Sequence, residues 1–484
     1  MTTVLTLIDF LAISPLLILF ATALTTLLIE AFWSSSQKLI LTATLTGLGL
    51  ALYASCQGFS SDNLLLTPWL KFDGLSRFFS ILFIAIGFGT VLISSPFFAR
   101  FKATHGEYYF FLLSSLVGLL LISSAADFLT LFLGLETLSI ALYVLCGYMK
   151  KWVVSSEAAF KYFLLGSIST AFLLFGIALV YGATGTTRFD LLPKATQMLA
   201  NPEKLLFMSG MALVTFGLLF KAAVVPLHIW APDVYSGAPT PVTAFMAVGT
   251  KAGAFAALIR LFLLTFNGFD PLWNQAIAFL TYPTLIYASF VAMRQVELRR
   301  FFAYSGISHA GFLLIPLAAG TAEAGPSMLF YLVIYTLATL GSFAVLSFVD
   351  DTSEGIALKD LKGLFHTSPF LAGIFTLCLL TLGGIPPTIG FFAKFYLLKV
   401  AFSAGYYGLV AVGLLTTIFT AFYYLRIVAV MFSEPTESKK KVPSSLSASL
   451  CGVIAFVSII ALSFYPEPLL QLFSSLFNVS EMKI

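Results

Sequence analysis

Phe220-Lys221-Ala222-Ala223-Val224-Val225-Pro226-Leu227-His228-Ile229-Trp230 lies within a long apolar stretch and sets a lysine five residues before a proline. A proline removes one hydrogen bond from a helix and crowds the turn before it. Lipid cannot satisfy the carbonyl so freed, so the break survives only where protein or water covers it. A lysine at membrane depth costs roughly 2.5–3.5 kcal/mol on insertion scales and marks an ion or proton path. One helix carrying both belongs inside a bundle.

The rest of the chain extends the membrane reading. Its 484 residues are 59% hydrophobic and only 10% charged, against about 25% charged in soluble proteins. The net charge of +4 is diffuse, with no basic block interleaved with aromatics, which argues against nucleic acid as a partner. Cys56, Cys146, Cys378 and Cys451 form no CxxC pair, so they indicate neither a metal site nor a disulfide framework. Asp9 and the lack of a basic leader make residues 8–33 a retained helix and not a cleaved signal.

A spanning helix needs about 20 apolar residues. That ruler predicts an all-α integral membrane protein with about fourteen helices, at 8–31, 39–56, 76–97, 108–126, 128–149, 155–182, 206–230, 240–264, 271–293, 301–320, 326–349, 369–400, 404–432 and 446–466. Asp127 alone separates the fourth from the fifth. Odd-numbered loops carry Lys38, Arg100, Lys102, Lys150, Lys151, Arg294, Arg299, Arg300, Lys359, Lys362 and Lys439 to Lys441. Even-numbered loops and tails carry Lys71, Arg77, Arg188, Lys194, Lys204 and Lys483. Positive loops stay inside, so the odd loops are expected in the cytoplasm and both termini on the opposite, periplasmic face.

A second break follows at Leu382-Gly383-Gly384-Ile385-Pro386-Pro387-Thr388-Ile389-Gly390-Phe391-Phe392-Ala393-Lys394-Phe395. The two breaks, at Pro226 and at Pro386 and Pro387, fall in the seventh and twelfth helices, which run in opposite directions. Interrupted helices paired in opposed halves are a sign of inverted repeats with the site at the breaks. The expected organisation is a three-helix N-terminal region (1–105), two inverted five-helix repeats (106–265 and 266–433) and a C-terminal helix (434–484).

Five ionisable residues stand out by depth: Glu136, Lys221, Lys251, His309 and Lys394. Lys161, one turn after Glu157, and His228, beside Trp230, are secondary relay candidates. Burial disfavours the charged form of a lysine and a nearby carboxylate favours it, so moving Glu136 relative to Lys221 would switch that lysine between holding and releasing a proton. The plain alternatives are a static Glu136–Lys221 pair, a Lys161 that snorkels or pairs with Glu157, a packing role for His309 and an interfacial anchor at His228. Arg260, Lys399 and Arg426 read as snorkelling anchors, and His105 and His366 as loop residues. Walker A, GxGxxG, HExxH and GxSxG patterns are missing, so the energy must come from an ion gradient or a partner.

The run from Phe220-Lys221 through Pro226, His228, Trp230, Pro232-Asp233, Tyr235, Gly237, Pro239, Pro241 and Thr243 to Phe245 resembles the proton-conducting antiporter-like subunits of respiratory complex I. Leu133-Gly134-Leu135-Glu136, Tyr304-Ser305-Gly306-Ile307-Ser308-His309 and Gly390-Phe391-Phe392-Ala393-Lys394-Phe395 are similar to that family's other marks, in the same order. The resemblance covers nearly the whole chain. It is closest to the member with this Asp233-to-Val242 run, with a lysine at 394 and without a long lateral helix. It implies a bacterial inner-membrane subunit in which Glu136 and Lys221 form the first half-channel, Lys251 and His309 continue along the midplane, and Lys394 releases protons outward. It further implies no cofactor in this chain, with FMN, iron–sulfur clusters, NADH and quinone handled by other subunits. Partners would be the other membrane subunits, the hydrophilic arm and the lipid bilayer. Rival readings are a subunit of a multi-subunit Na+/H+ antiporter, a subunit of a ferredoxin-plastoquinone reductase, and a passive scaffold.

Overall fold

The structure, a computed structural model, describes residues 7–33, 37–57, 65–103, 106–266, 271–350, 355–434 and 445–477. His105, Lys439 to Lys441 and Lys483 lie outside them. Among the described residues there are helices, turns and three isolated β-bridges. Thirteen helices are long and apolar enough to cross a membrane. The shorter helices Pro369–Gly383 and Ile389–Ser403 lie between the eleventh and the last two of them, where the twelfth helix was expected, and are numbered together as the twelfth. Spans are numbered first to fourteenth below.

The helix ends follow local chemistry. Asp73 caps the third span (Gly74–Arg100): its carboxylate accepts from the Ser76 amide at 2.8 Å, and the Ser76 hydroxyl accepts from the Asp73 amide at 3.0 Å. Asp127, the lone polar residue between the fourth (Gly106–Ser124) and fifth (Phe128–Cys146) spans, caps the fifth by accepting from the Thr130 amide. Such caps satisfy amides that a helix start leaves open.

Burial sorts the spans into an inner and an outer set. The eighth (Thr240–Thr265) and tenth (Leu298–Ala319) are buried throughout their apolar windows, and the first (Ser14–Phe32) and last (Leu446–Phe464) only to 28%. A helix apolar on every side belongs in a core or against lipid; here both kinds occur. Small residues bring neighbours close. A Cβ on Gly118 would meet the Gly134 carbonyl at 2.7 Å, and one on Gly210 would meet the Gly176 carbonyl at 2.8 Å. These contacts lock the fourth span to the fifth, beside Glu136, and the sixth (Val153–Thr184) to the seventh (Asn201–Ala222), below Lys221.

Two ionic clamps hold the eighth span at its ends. At one end the Arg260 guanidinium takes both Asp73 oxygens at 2.9 and 3.0 Å and the Ser123 carbonyl at 2.7 Å. At the other end Asp350 accepts from the Thr240 hydroxyl and lies 3.8 Å from Arg299, which also donates to the Ala238 carbonyl at 2.9 Å. Arg260 is 3% exposed and Arg299 1%. Neither is the bilayer anchor or loop charge that its sequence position suggested.

Candidate functional site

Both breaks are built the same way. The seventh span stops at Ala222, and the chain resumes as helix at Trp230–Gly237. The twelfth stops at Gly383 and resumes at Ile389. Each first piece ends on a left-handed residue, Ala223 at φ 59° and Gly384 at φ 72°. In each, the next amide folds back five residues, Val224 to Leu219 at 3.0 Å and Ile385 to Leu380 at 3.1 Å, the hydrogen-bond pattern of a Schellman ending. The left-handed geometry costs a non-glycine residue about 1–2 kcal/mol, so Ala223 is strained where Gly384 is not. A proline follows each left-handed residue by three positions, Pro226 and Pro387, and both X–Pro peptides are cis.

Setting the breaks in register pairs Ala223 with Gly384 and Pro226 with Pro387. Lys221 then falls opposite Leu382, and Lys394 opposite Asp233. The two lysines are therefore not counterparts: one precedes its break and the other follows it.

Lys221 is 4% exposed, and among the described residues its Nζ has no hydrogen-bond partner. It points at aromatic faces instead, 5.1 Å from the ring centre of Tyr162 and 5.7 Å from that of Tyr143. The Tyr162 ring stacks on Trp230 at 4.6 Å, and the Trp230 indole donates to the Phe220 carbonyl at 2.9 Å. That carbonyl belongs to the last turn before the break, so the break is covered by protein as the physics of lipid requires. Gly166 leaves the space that the Tyr143 hydroxyl occupies.

Glu136 is half-buried and forms no ion pair with Lys221 in this structure. Its carboxylate accepts from the Thr170 hydroxyl at 2.7 Å. Tyr143, seven residues or about two helical turns further along the same helix, brings its ring to 5.7 Å from the Lys221 ammonium.

A second cluster begins beyond Trp230. Lys251 Nζ is 3.4 Å from the Tyr235 hydroxyl. It stands directly after a wide π-type segment, Met246–Thr250, and a second such segment covers Ile259–Thr265. Such insertions concentrate at functional sites. Tyr335, beside it, donates to the Ala247 carbonyl at 3.0 Å. His309, 2% exposed, meets the Tyr331 hydroxyl through Nδ1 at 2.6 Å and the Tyr424 hydroxyl through Nε2 at 3.2 Å. Tyr424 also hydrogen-bonds Ser305.

His309 and Lys394 share the walls of a cavity of about 10 Å³, room for about one water-sized sphere. Lys394 Nζ donates to the Gly383 carbonyl at 3.0 Å and the Thr420 hydroxyl at 2.9 Å. The lysine thus binds a carbonyl that its own helix break has freed. Tyr235 and Lys251 meet at one end of this region, the Tyr335 and His309 rings lie 4.9 Å apart in the middle, and His309 and Lys394 share the cavity at the other end. Between Lys221 and Tyr235 the way is closed by the Tyr162 and Trp230 rings and by the Cys146 and Met246 sulfurs, 3.4 Å apart.

The secondary candidates separate. Lys161 is half-exposed and bound to Glu157 at 2.7 Å and Asp233 at 2.9 Å, and Asp233 also holds Arg300 at 3.2 Å. His228 is 8% exposed inside the break, its ring edge-on to Tyr287 at 5.0 Å. It is a buried residue of the break, not an interfacial anchor. Sequence reasoning passed over Tyr235, Tyr331, Tyr335 and Tyr424. Apolar-run counting treats a tyrosine as bulk, and only its helical spacing from a lysine could have flagged it.

Among the described residues no cluster of three or more His, Cys, Asp or Glu side chains could hold a metal ion.

A family profile described as NADH:quinone oxidoreductase/Mrp antiporter, TM, matches residues 125–420. The NADH-quinone oxidoreductase subunit N of Protochlamydia amoebophila (strain UWE25) is 58% identical over 477 residues, 98% of this chain and 99% of that relative. A chain in the structure of respiratory complex I from Thermus thermophilus with bound aureothin superposes with a TM-score of 0.81 at 33% identity, over 94% of this chain and 98% of that one. A chain of the Mrp complex from Dietzia sp. DQ12-45-1b shares the fold, with a TM-score of 0.81 at 23% identity over 98% and 97%.

Proposed function

This chain belongs to the NADH:quinone oxidoreductase/Mrp antiporter transmembrane family, and from that membership we propose that it is the proton-translocating subunit N of an NADH-quinone oxidoreductase. It is a multi-pass membrane protein that works beside other membrane subunits. The observation that carries the mechanism is the buried set of Lys251, His309 and Lys394: Tyr235 meets Lys251, Tyr331 and Tyr424 meet His309, and one water-sized cavity lies against both His309 and Lys394.

In this reading, quinone reduction elsewhere in the complex drives these groups; NADH, FMN, the iron–sulfur clusters and quinone belong to other subunits. Glu136 and Lys221 accept protons from the cytoplasmic side. Lys221 lies over the Tyr143 and Tyr162 ring faces, with no hydrogen-bond acceptor beside it among the described residues. The aromatic and sulfur wall beyond it is the switched step: it opens when the pieces of the seventh span shift at Ala223. Lys251 passes the proton past Tyr335 to His309, whose two ring nitrogens each meet a hydroxyl. Lys394 receives it and releases it to the periplasmic side, where both termini also lie. The two five-helix halves act as inverted repeats around the two breaks, within the boundaries 106–265 and 266–433.

The test is the number of protons moved per electron in inverted membrane vesicles, for the parent and for Lys394→Ala. An unchanged ratio with normal NADH oxidation sinks the mechanism. The antiporter reading shares the fold, but the 58% identity to a subunit N favours the oxidoreductase. Hydrophilic iron–sulfur subunits in the purified complex decide between them.

A further inference from the structure

A cavity of about 730 Å³ lies between the third, eleventh (Ala324–Val349) and fourteenth spans, well away from the buried lysines. Its walls are almost wholly apolar, among them Phe78, Ile81, Leu92, Val333 and Leu337. Protein cores hold few voids larger than a water molecule, and an apolar cavity of even ~150 Å³ stays dry and takes up apolar molecules. At about 30 Å³ for each methylene-sized group, this one holds roughly two dozen. That suits one acyl tail and part of a second.

The open end of the cavity has a different character. Arg77 and Gly74 line both this cavity and an adjoining pocket of about 200 Å³, whose walls include Ser55, Ser76, Ser80 and Ser124. A smaller pocket with four serine hydroxyls in its wall and a large apolar one therefore meet at a guanidinium. Asp73, the carboxylate of the smaller pocket, is already held by Arg260 and by Lys71 at 3.9 Å. Among the described residues Arg77 meets no carboxylate; it donates to the Cys56 carbonyl. Its positive charge remains available to a ligand.

The helix Glu467–Leu476 closes the remaining side. Phe473 packs edge-on against Phe78 at 5.1 Å, and Leu476 lies against Gly74. Leu469 and Leu472 from the same helix complete the lining.

The geometry points to a binding site for an anionic phospholipid, with its phosphate at Arg77 in the smaller pocket and an acyl tail between the third and eleventh spans. The ligand ties the N-terminal spans to the helix pair that carries His309 and Tyr331.

The test uses membranes containing the intact complex and a phosphatidylglycerol with a photoactivatable group in its acyl tail. Cross-linked peptides are identified by mass spectrometry. The expected result is labelling within residues 81–92 and 333–340, several-fold weaker with a phosphatidylcholine probe of the same tail. Arg77→Gln should abolish the difference between the two probes while tail labelling persists. Labelling confined to the outward faces of the sixth span, or equal labelling by both headgroups, would overturn the site.

Discussion

A Cβ on Gly306 would stand 2.8 Å from Nζ of Lys251 and 3.2 Å from the Tyr335 hydroxyl. The tenth span is hollowed by one missing methyl at the point where the eighth span's lysine approaches it. Alanine is favoured over glycine by about 0.8–1 kcal/mol inside a helix, so Gly306→Ala should hold or raise thermal stability. It should also displace the lysine and lower the protons moved per electron. A loss of stability alongside the loss of pumping would point to a packing defect instead.

Among the buried lysines of the described residues, Lys221 is the one whose ammonium has no hydrogen-bond partner, so its removal breaks no hydrogen bond. Lys221→Ala should therefore assemble normally, with proton transport coupled to quinone reduction falling about tenfold or more, as for loss of a proton-transferring group. Vesicle acidification measured against NADH oxidation checks this. Normal coupling in the variant would leave the chain a passive scaffold.

Thr170 supplies the hydroxyl that holds Glu136. A hydrogen bond to a charged group is worth about 1.5–3 kcal/mol. Thr170→Val keeps the shape and removes the donor, so it should slow pumping several-fold, and Thr170→Ser should restore it. If valine and serine behave alike, the hydroxyl is not what positions the carboxylate.

The Asp73 carboxyl gives a pH signature. Burial acts to raise its pKa, but the Arg260 guanidinium, with further help from the Ser76 amide and Lys71, lowers it from 3.8 to about 2. A lowered carboxyl stabilises the fold fully above its ordinary value, and that contribution is lost as pH falls from about 3.8 to about 2. Asp73→Asn leaves Arg260 buried and unpaired, at a cost of about 3–5 kcal/mol for such pairs. The melting temperature of the variant should lie well below the parent's at pH 7, and the gap should close as the pH approaches 2. A gap that does not change with pH would mean that the ion pair is not its source.

Most of this fold is written in hydropathy, which is why fourteen spans could be placed from apolar length alone. The breaks were legible because proline and glycine have few other uses inside a membrane helix. The relation of Glu136 to Lys221 was not. Depth along a helix says nothing about azimuth: Glu136 meets Thr170 and Lys221 meets the Tyr143 and Tyr162 rings. Arg260 read as an anchor because its partner Asp73 is 187 residues away. The wide turns around Lys251 left no mark in Ala247-Val248-Gly249-Thr250, where every residue also suits an ordinary helix.

Those wide turns give the eighth span a property that the seventh and twelfth lack. A π-type turn carries a surplus residue relative to an α-helix, and shifting that surplus by one position rotates the residue it passes by about 100°. Lys251 is the first residue beyond the segment Met246–Thr250, so it would be the first to swing, away from the Tyr235 hydroxyl. Arg260 with Asp73 and Thr240 with Asp350 hold the two ends while this happens. The span is clamped at both ends, and its lysine stands directly after the wide turn between the clamps.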